Sequence, residues 1–300
     1  MGITLGPHQY GKAETRVVRV RRSVTGAGDG DGGGDGAAER HEIRDLNVSV
    51  ALSGDMTAVH LTGDNTAVLP TDSQKNTVYA FARKHGIASP EEFALLLARH
   101  FVGAQPAIHR ARVGVEEYAW DRIPVTGHSF VRRGQEIRTA RITHSAAGTH
   151  VVTGLREMTV LNSTGSEFWG YAKDEYTTLP ETRDRVLATT VNAEWRHTGE
   201  DPGFDDSYAA VRQALLAAFA GTHSRSLQQT LYAMGSRVLA ERAEICEVRL
   251  SLPNKHHFVV DLAPFGLDNP NEVFFAADRP YGLIEGTVLR DDAAPAPEAW

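Results

Sequence analysis

The sequence Leu252-Pro253-Asn254-Lys255-His256-His257-Phe258 follows a segment in which apolar and polar residues alternate. Cys246, Val248 and Leu250 recur at every second position, which predicts a strand over Ile245–Leu252 with one buried face. A further strand is predicted over Phe258–Leu262. The quoted residues therefore place an amide, that of Asn254, and an imidazole, that of His256, at the end of a predicted strand.

The pattern of predicted elements occurs twice along the chain. In each half, a pair of strands precedes two helices, and further strands follow them. The clearest helix signal is Ser89-Pro90-Glu91-Glu92, where Ser89 is the cap, Pro90 takes the first helical position and Glu92 completes a capping box. In the first half, strands are predicted at Arg16–Val20, Leu46–Leu52, Val113–Trp120, Ser129–Arg132 and Ile137–Thr143. The helices there are Ser73–Lys84, closed by Gly86, and a helix from Ser89 that buries Phe93, Leu96, Leu97 and Phe101. In the second half, strands are predicted at Glu157–Asn162 and Val186–Trp195, helices through Tyr208–Phe219 and from Ser226, and then the two final strands.

This repetition predicts an α+β protein whose helices cover one face of antiparallel sheets. The predicted domains are residues 1–150 and residues 151–300, each with strand pair, helix pair and strand pair. Residues 25–39 form an insertion in the first domain, where Gly26–Gly36 alternates glycine with aspartate. The tract lacks the lysine of a phosphate loop and the spacing of a calcium loop, so we interpret it as a solvated hairpin connection.

Composition excludes several classes of function. The formal net charge is −7, with both signs scattered, so neither nucleic acid nor an anionic membrane is indicated as a partner. Cys246 is the only cysteine, which excludes a disulfide framework and a thiolate metal cluster. The thirteen histidines are dispersed, and no metal site is predicted. The single cysteine, the absence of a signal pattern at the start and the lack of a long apolar run together predict a cytoplasmic protein.

Five motifs, in this order, resemble the urate oxidase family. They are Tyr10-Gly11-Lys12, the run from Thr71 to Thr77, the run from Ser163 to Gly170, the run from Asp174 to Leu179, and the stretch from Leu252 to Phe258. The resemblance covers about Tyr10 to about Arg290. The ending Glu298-Ala299-Trp300 differs from the peroxisomal Ser-Lys-Leu tail, which favours a bacterial-type member. The family usually has a shorter connection at Gly26–Gly36.

The resemblance implies a fold, an assembly and a reaction. The fold is the tandem tunnelling fold (T-fold), whose sheets close into a barrel only on assembly. The implied assembly is a homotetramer of two stacked barrels with active sites between subunits. The implied reaction converts urate, dioxygen and water into 5-hydroxyisourate and hydrogen peroxide, in purine degradation and without a cofactor.

Alignment with the family implies a proton relay of Lys12, Thr71 and His256. Asp72 forms a pair with Thr71 at the substrate, and Asn254 holds dioxygen or water over the ring. Each residue also has an ordinary interpretation. Lys12 is then a solvated charge, Thr71 or Asp72 a helix cap, and His256 a satisfied histidine at a strand edge.

The same alignment implies that Arg185, Gln228 and Phe168 hold urate, while Leu179 and Leu227 line the pocket. A guanidinium suits an anion because it offers two parallel donors and a permanent charge. A primary amide both donates and accepts, and an aromatic ring stacks on a flat purine. The ordinary interpretations are a surface ion pair for Arg185, helix-start polarity for Gln228 and a loop anchor for Phe168.

Three other classes of function remain open. A purine- or pterin-binding T-fold protein without oxidase activity keeps the aromatic residue but not the relay. A metal-dependent cyclohydrolase relative requires a Cys/His zinc set, which a single cysteine does not supply. A purely structural protein is the third alternative.

Overall fold

The computed structural model describes residues 2–22 and 40–300. The insertion predicted at residues 25–39, including Gly26–Gly36, lies outside the described residues. The chain divides into two compact units, one comprising residues 1–153 and 296–300 and the other residues 154–295. Strands are antiparallel, and helices pack on the sheets of both units. The predicted α+β class is confirmed.

In the first unit the strand order is β1-β2-β3-β4, and helices lie between the two strand pairs. Helix α3 packs on β3 and β4, and α2 packs on β1. The elements are β1 (Tyr10–Arg21), β2 (Glu42–Gly54), α1 (Thr57–Thr62), α2 (Thr71–Lys84), α3 (Pro90–Ala104), β3 (Ile108–Arg122) and β4 (Phe130–Ser145). Helix α3 begins as predicted, because the backbone N–H of Glu92 donates to Ser89 Oγ at 3.1 Å. Its buried face differs by one residue, since Leu95 is buried while Leu96 is partly exposed.

The second unit repeats the arrangement with the order β5-β6-β7-β8. Its elements are β5 (Gly148–Asn162), β6 (Leu187–His197), α4 (Phe204–Gly221), α5 (Leu227–Glu241), β7 (Ile245–Val259) and β8 (Phe274–Leu289). Helix α5 approaches the sheet closely at two glycines. A Cβ atom at Gly235 would lie 2.6 Å from Val288 Cγ2, and one at Gly286 would lie 2.9 Å from Leu231 Cδ2. The N-terminal end of α5 therefore points along β8 toward Gly282.

The structure corrects two predictions of strand limits. The separate strands predicted at Ser129–Arg132 and Ile137–Thr143 are one strand, β4, whose pairing with β3 shifts in register. The predicted final strand Phe258–Leu262 is wrong, because Phe258 and Val259 belong to β7 and the last strand is β8. Strand β8 contains Pro280, Gly282 and Gly286, which interrupt the alternation that identifies a strand in a sequence.

The pairing of β1 with β2 is irregular next to Lys12. The register shifts between Lys12 and Thr15, Glu14 has a φ of +55°, and its N–H donates to Ser49 Oγ at 3.0 Å. In β5, Glu157 has a φ of +64° and its N–H donates to Asn192 Oδ1 at 3.2 Å. In both units, therefore, the first strand of the sheet contains a glutamate of positive φ whose N–H donates to a side chain of the neighbouring strand.

Within residues 2–22 and 40–300, none of the helices combines the length and the apolar character that crossing a membrane requires.

Gly11 should tolerate no side chain. A Cβ atom there would lie 1.7 Å from the carbonyl oxygen of Val50, which is backbone of the paired strand and cannot rotate away. We expect Gly11→Ala to lower the free energy of unfolding by about 1–3 kcal/mol, as overpacking does. Gly114→Ala is the matched control on strand β3, since its Cβ position meets no heavy atom within 4 Å. Equal denaturation midpoints for the two variants would contradict the close approach of β1 to β2.

Candidate active site

The first unit contains Lys12, Thr71 and Asp72. Lys12 is half-buried on β1, opposite Val50 of β2 and directly before the register shift. Thr71 is the first residue of α2, the helix that packs on β1. Lys75 lowers the pKa of Asp72, first by a hydrogen bond from its Nζ and then by its positive charge. The charge of Lys12 lowers this pKa further. Lys12 thus lies within electrostatic reach of the start of α2.

Neither Thr71 nor Asp72 is the cap of α2. The cap position belongs to Pro70, which offers no capping side chain. The Asp72 carboxylate instead accepts hydrogen bonds from Lys75 Nζ at 2.5 Å and Asn76 Nδ2 at 2.9 Å. The ordinary interpretation of Thr71 as a helix cap is therefore not what this structure shows.

In the second unit, a parallel bridge between Ser166 and Ser224 connects three segments of chain. Ser224 donates its N–H to the Gly165 carbonyl at 3.0 Å and accepts from the Glu167 N–H at 2.8 Å. The N–H of Arg185 donates to the Ser166 carbonyl at 2.8 Å. Both serines are fully buried. The bridge therefore fixes the backbones that lead to Phe168, Arg185 and α5.

Arg185 lies over the ring of Phe168, with its guanidinium carbon 5.1 Å from the ring centroid. Its Nε donates to Ser166 Oγ at 3.3 Å. Burial lowers the pKa of Arg185 from its ordinary value, yet a guanidinium keeps its charge in a protein. The ring of Phe168 also stacks on Tyr171 at 4.8 Å with an interplanar angle of 15°. Tyr171 was not among the predicted site residues. Its position three residues after Phe168 in the sequence could have indicated it.

Gln228 and Leu227 open helix α5. The cap uses their neighbours, because Ser226 Oγ accepts from the Gln229 N–H at 3.2 Å and Gln229 Oε1 accepts from the Arg225 N–H at 2.8 Å. The side chain of Gln228 is exposed, whereas that of Leu227 is 2% exposed and belongs to the core. Any contact of Leu227 with a ligand must therefore come from its backbone.

Leu179 has the opposite environment to Leu227, since its side chain is 50% exposed. Its carbonyl oxygen accepts a hydrogen bond from the hydroxyl of Tyr171. Because Tyr171 stacks on Phe168, this bond connects the segment around Leu179 to the aromatic pair.

Asn254 and His256 lie on β7, on either side of a shift in its register with β8. Asn254 is paired with Thr189 on β6 and with Gly282 on β8. Burial lowers the pKa of His256 below its ordinary value, and the positive charge of Arg185 lowers it further. The imidazole is therefore neutral near pH 7 and can accept a proton.

In the second unit Arg185 thus lies over Phe168 and within electrostatic reach of His256, and α5 points its Gln228 end along β8 toward the partner of Asn254. Lys12, Thr71 and Asp72 belong to the first unit. In the described part of the chain, no three histidine, cysteine or carboxylate side chains lie close enough together to hold a metal ion. The cluster in the second unit offers one fixed positive charge, an aromatic face and a neutral proton acceptor, which suits a flat anion.

The family model described as Uricase matches residues 8–143 and 151–285. The chain belongs to the uricase family. A uricase from Arthrobacter globiformis is 50% identical over 298 residues, which cover 99% of this chain and 94% of that protein. A uricase from Emericella nidulans is 36% identical over 309 residues, covering 97% and 99%. The protein is therefore an oxidoreductase that acts on urate, as the five motifs predicted.

Solved uricase structures share the fold. The crystal structure of uricase from Arthrobacter globiformis matches with a TM-score of 0.92 at 50% identity and covers 99% of each chain. The crystal structure of a uricase from Bacillus fastidious matches with a TM-score of 0.78 at 26% identity and covers 95% of this chain and 94% of that one. The predicted T-fold is confirmed.

The electrostatic influence of Arg185 on His256 predicts a measurable pKa change. In Arg185→Met the positive charge is lost, so the pKa of His256 should rise toward the ordinary value of about 6.5. The titration can be followed by NMR in protein labelled at histidine, with His256→Gln to identify the signal. Arg183→Met is the control, because that guanidinium lies 3.6 Å over the Trp169 ring and is not among the groups that shift His256. An unchanged or lower pKa in Arg185→Met would show that the two groups do not interact.

Proposed function

We propose that this uricase oxidises urate with dioxygen and without a bound cofactor. Urate, dioxygen and water give 5-hydroxyisourate and hydrogen peroxide. The observation that carries the proposal is the half-buried guanidinium of Arg185, which lies over the ring of Phe168 and interacts electrostatically with the neutral imidazole of His256. This arrangement attracts a flat anion and supplies an acceptor for its proton.

In the proposed complex, Arg185 holds the urate anion by two parallel N–H donors. Gln228, whose exposed side chain is not used by the helix cap, donates to a ring carbonyl and accepts from a ring N–H. The purine stacks on Phe168, which the bridge to Thr182 fixes through N–H to carbonyl bonds of 2.9 and 3.0 Å. Leu179 and the backbone of Leu227 complete the lining.

The chemical step needs a further proton to leave urate, because the resulting dianion is electron-rich enough to reduce dioxygen. We assign that transfer to the relay of Lys12, Thr71 and His256. Two electrons pass from the ring to dioxygen, and a ring hydroperoxide forms and loses hydrogen peroxide. Water then adds from the side of Asn254 and gives 5-hydroxyisourate. Relay groups of this kind contribute about 10²- to 10⁴-fold to a rate.

We further propose that the active form is a homotetramer in which Lys12, Thr71 and Asp72 of one chain complete the site of a neighbouring chain. Each unit contains a different part of the proposed set. Strand β8 also exposes large apolar side chains, with Phe275 63% and Leu283 54% exposed, which is typical of an interface. We propose a cytoplasmic location, consistent with the single cysteine.

Oxygen electrode and absorbance measurements on chelator-treated protein test the reaction. We expect loss of the urate absorbance, oxygen uptake and peroxide release in equal amounts. Lys12→Met should still bind a non-reacting purine anion while its turnover falls by about 10²-fold or more. Activity that disappears on chelation and returns with one metal would contradict the proposal, as would binding of urate without oxygen uptake.

Mixed tetramers test the assembly. Thr71→Ala and Arg185→Ala change different units, so tetramers formed from both chains should regain up to about a quarter of the wild-type rate, because random pairing unites two unmutated halves in that fraction of sites. Lys12→Met mixed with Thr71→Ala is the control and should regain nothing, since both changes lie in the first unit. Mixed tetramers verified by mass with no recovered turnover would show that each site is built within one chain.

A further inference from the structure

The hydroxyl of Tyr10 joins strand β1 to Leu69, which lies two residues before the first residue of α2. It donates to the carbonyl oxygen of Leu69 at 3.1 Å and accepts from the Leu69 N–H at 3.0 Å. These residues are 59 positions apart in sequence. Because Leu69 is followed by Pro70 and then Thr71, the two bonds fix the first turn of α2 against β1.

Gln74, in the first turn of α2, reinforces the same point. Its side chain is fully buried and its Nε2 donates to the Leu69 carbonyl at 3.3 Å. Among the described residues its Oε1 is buried without a hydrogen-bond partner. An unpaired buried amide oxygen destabilises a protein. Because the unpaired oxygen opposes stability, we interpret this glutamine as a residue that positions Leu69 and Tyr10.

Tyr10 and Lys12 occupy alternate positions on β1 and share its half-buried face. The residues on the other face, Gly11 and Ala13, are exposed. Helix α2 packs on this strand. A bond that places Leu69 relative to Tyr10 therefore also places the start of α2 relative to Lys12.

We propose that Tyr10 and Gln74 are positioning residues for the relay, holding Thr71 at a fixed separation from Lys12. This inference rests on the proposed roles of Lys12 and Thr71. Burial raises the pKa of Tyr10, so the phenol stays protonated and keeps donating to Leu69 throughout the neutral range. A displacement of about 1 Å in a reacting group lowers a rate by as much as 10²-fold, so loss of these bonds affects turnover more than affinity.

Tyr10→Phe removes the hydroxyl and retains the ring. We expect kcat to fall by about 10- to 100-fold, while the dissociation constant of a non-reacting purine anion changes by less than about twofold. Tyr79→Phe is the matched control, since that tyrosine lies on α2, the helix that Tyr10 fixes against β1, and is exposed. Gln74→Leu should lower kcat by a smaller factor without lowering the melting temperature, because it also removes the unpaired oxygen.

The double variant separates positioning from mere packing. If Tyr10 and Gln74 act through Leu69 together, Tyr10→Phe/Gln74→Leu should lose little more than Tyr10→Phe alone. A wild-type kcat in Tyr10→Phe overturns the inference, and so does a loss of kcat that only parallels a loss of folded protein. If Tyr10→Phe does not fold, Gln74→Leu decides, and its retention of full kcat would overturn the inference. Full turnover in Lys12→Met would instead refute the proposed relay itself.

Discussion

The bridge between the buried Ser166 and Ser224 is the constraint on which the second unit's site depends. It binds the start of the Phe168 segment, the backbone of Arg185 and the residues that lead into α5. None of these segments belongs to a regular strand of the sheet, so the bridge supplies backbone hydrogen bonds that a strand would otherwise provide. Small buried serines suit this role because a larger side chain would separate the backbones. The site is thus fixed by backbone hydrogen bonds before any substrate is present.

The two units share one architecture but carry different side chains at equivalent positions. The second helical residue of the last helix is Gln228 in the second unit and Glu91 in the first, each following a serine cap. Opposite Asn254, β8 has Gly282, while at the equivalent pairing β4 has Arg138. Arg138 Nη2 lies 2.7 Å from the fully buried Glu91 carboxylate. The first unit therefore has a buried ion pair at the positions where the second unit has an exposed amide and a glycine.

The sequence predicted helices α2 to α5, most strands and the family, because these depend on local periodicity, caps and contiguous motifs. The short helix α1 was not predicted. The bonds of Tyr10 to Leu69 and the bridge of Ser166 to Ser224 were not predictable, because they join residues distant in sequence through hydroxyl and backbone groups that leave no periodic pattern. Strand β8 was missed because its proline and glycines resemble a loop. The roles assigned to Lys12 and the other candidate residues rest on motif alignment, and the structure adds their neighbours and environments.

The irregularity beside Lys12 allows one side chain to be redirected on a sheet whose other positions are set by burial. A regular strand alternates strictly between faces, so one residue cannot be redirected without displacing the rest, whereas an extra residue changes the direction locally. Glu14 and Glu157 both have a positive φ, and each donates its N–H to a side chain of the neighbouring strand. Two positions earlier, the first unit has the half-buried Lys12 and the second has Leu155, which is fully buried in the core. The positive-φ residue therefore occurs in both units of the fold. The side chain two positions earlier differs, and it makes one position a candidate proton carrier and the other a core residue.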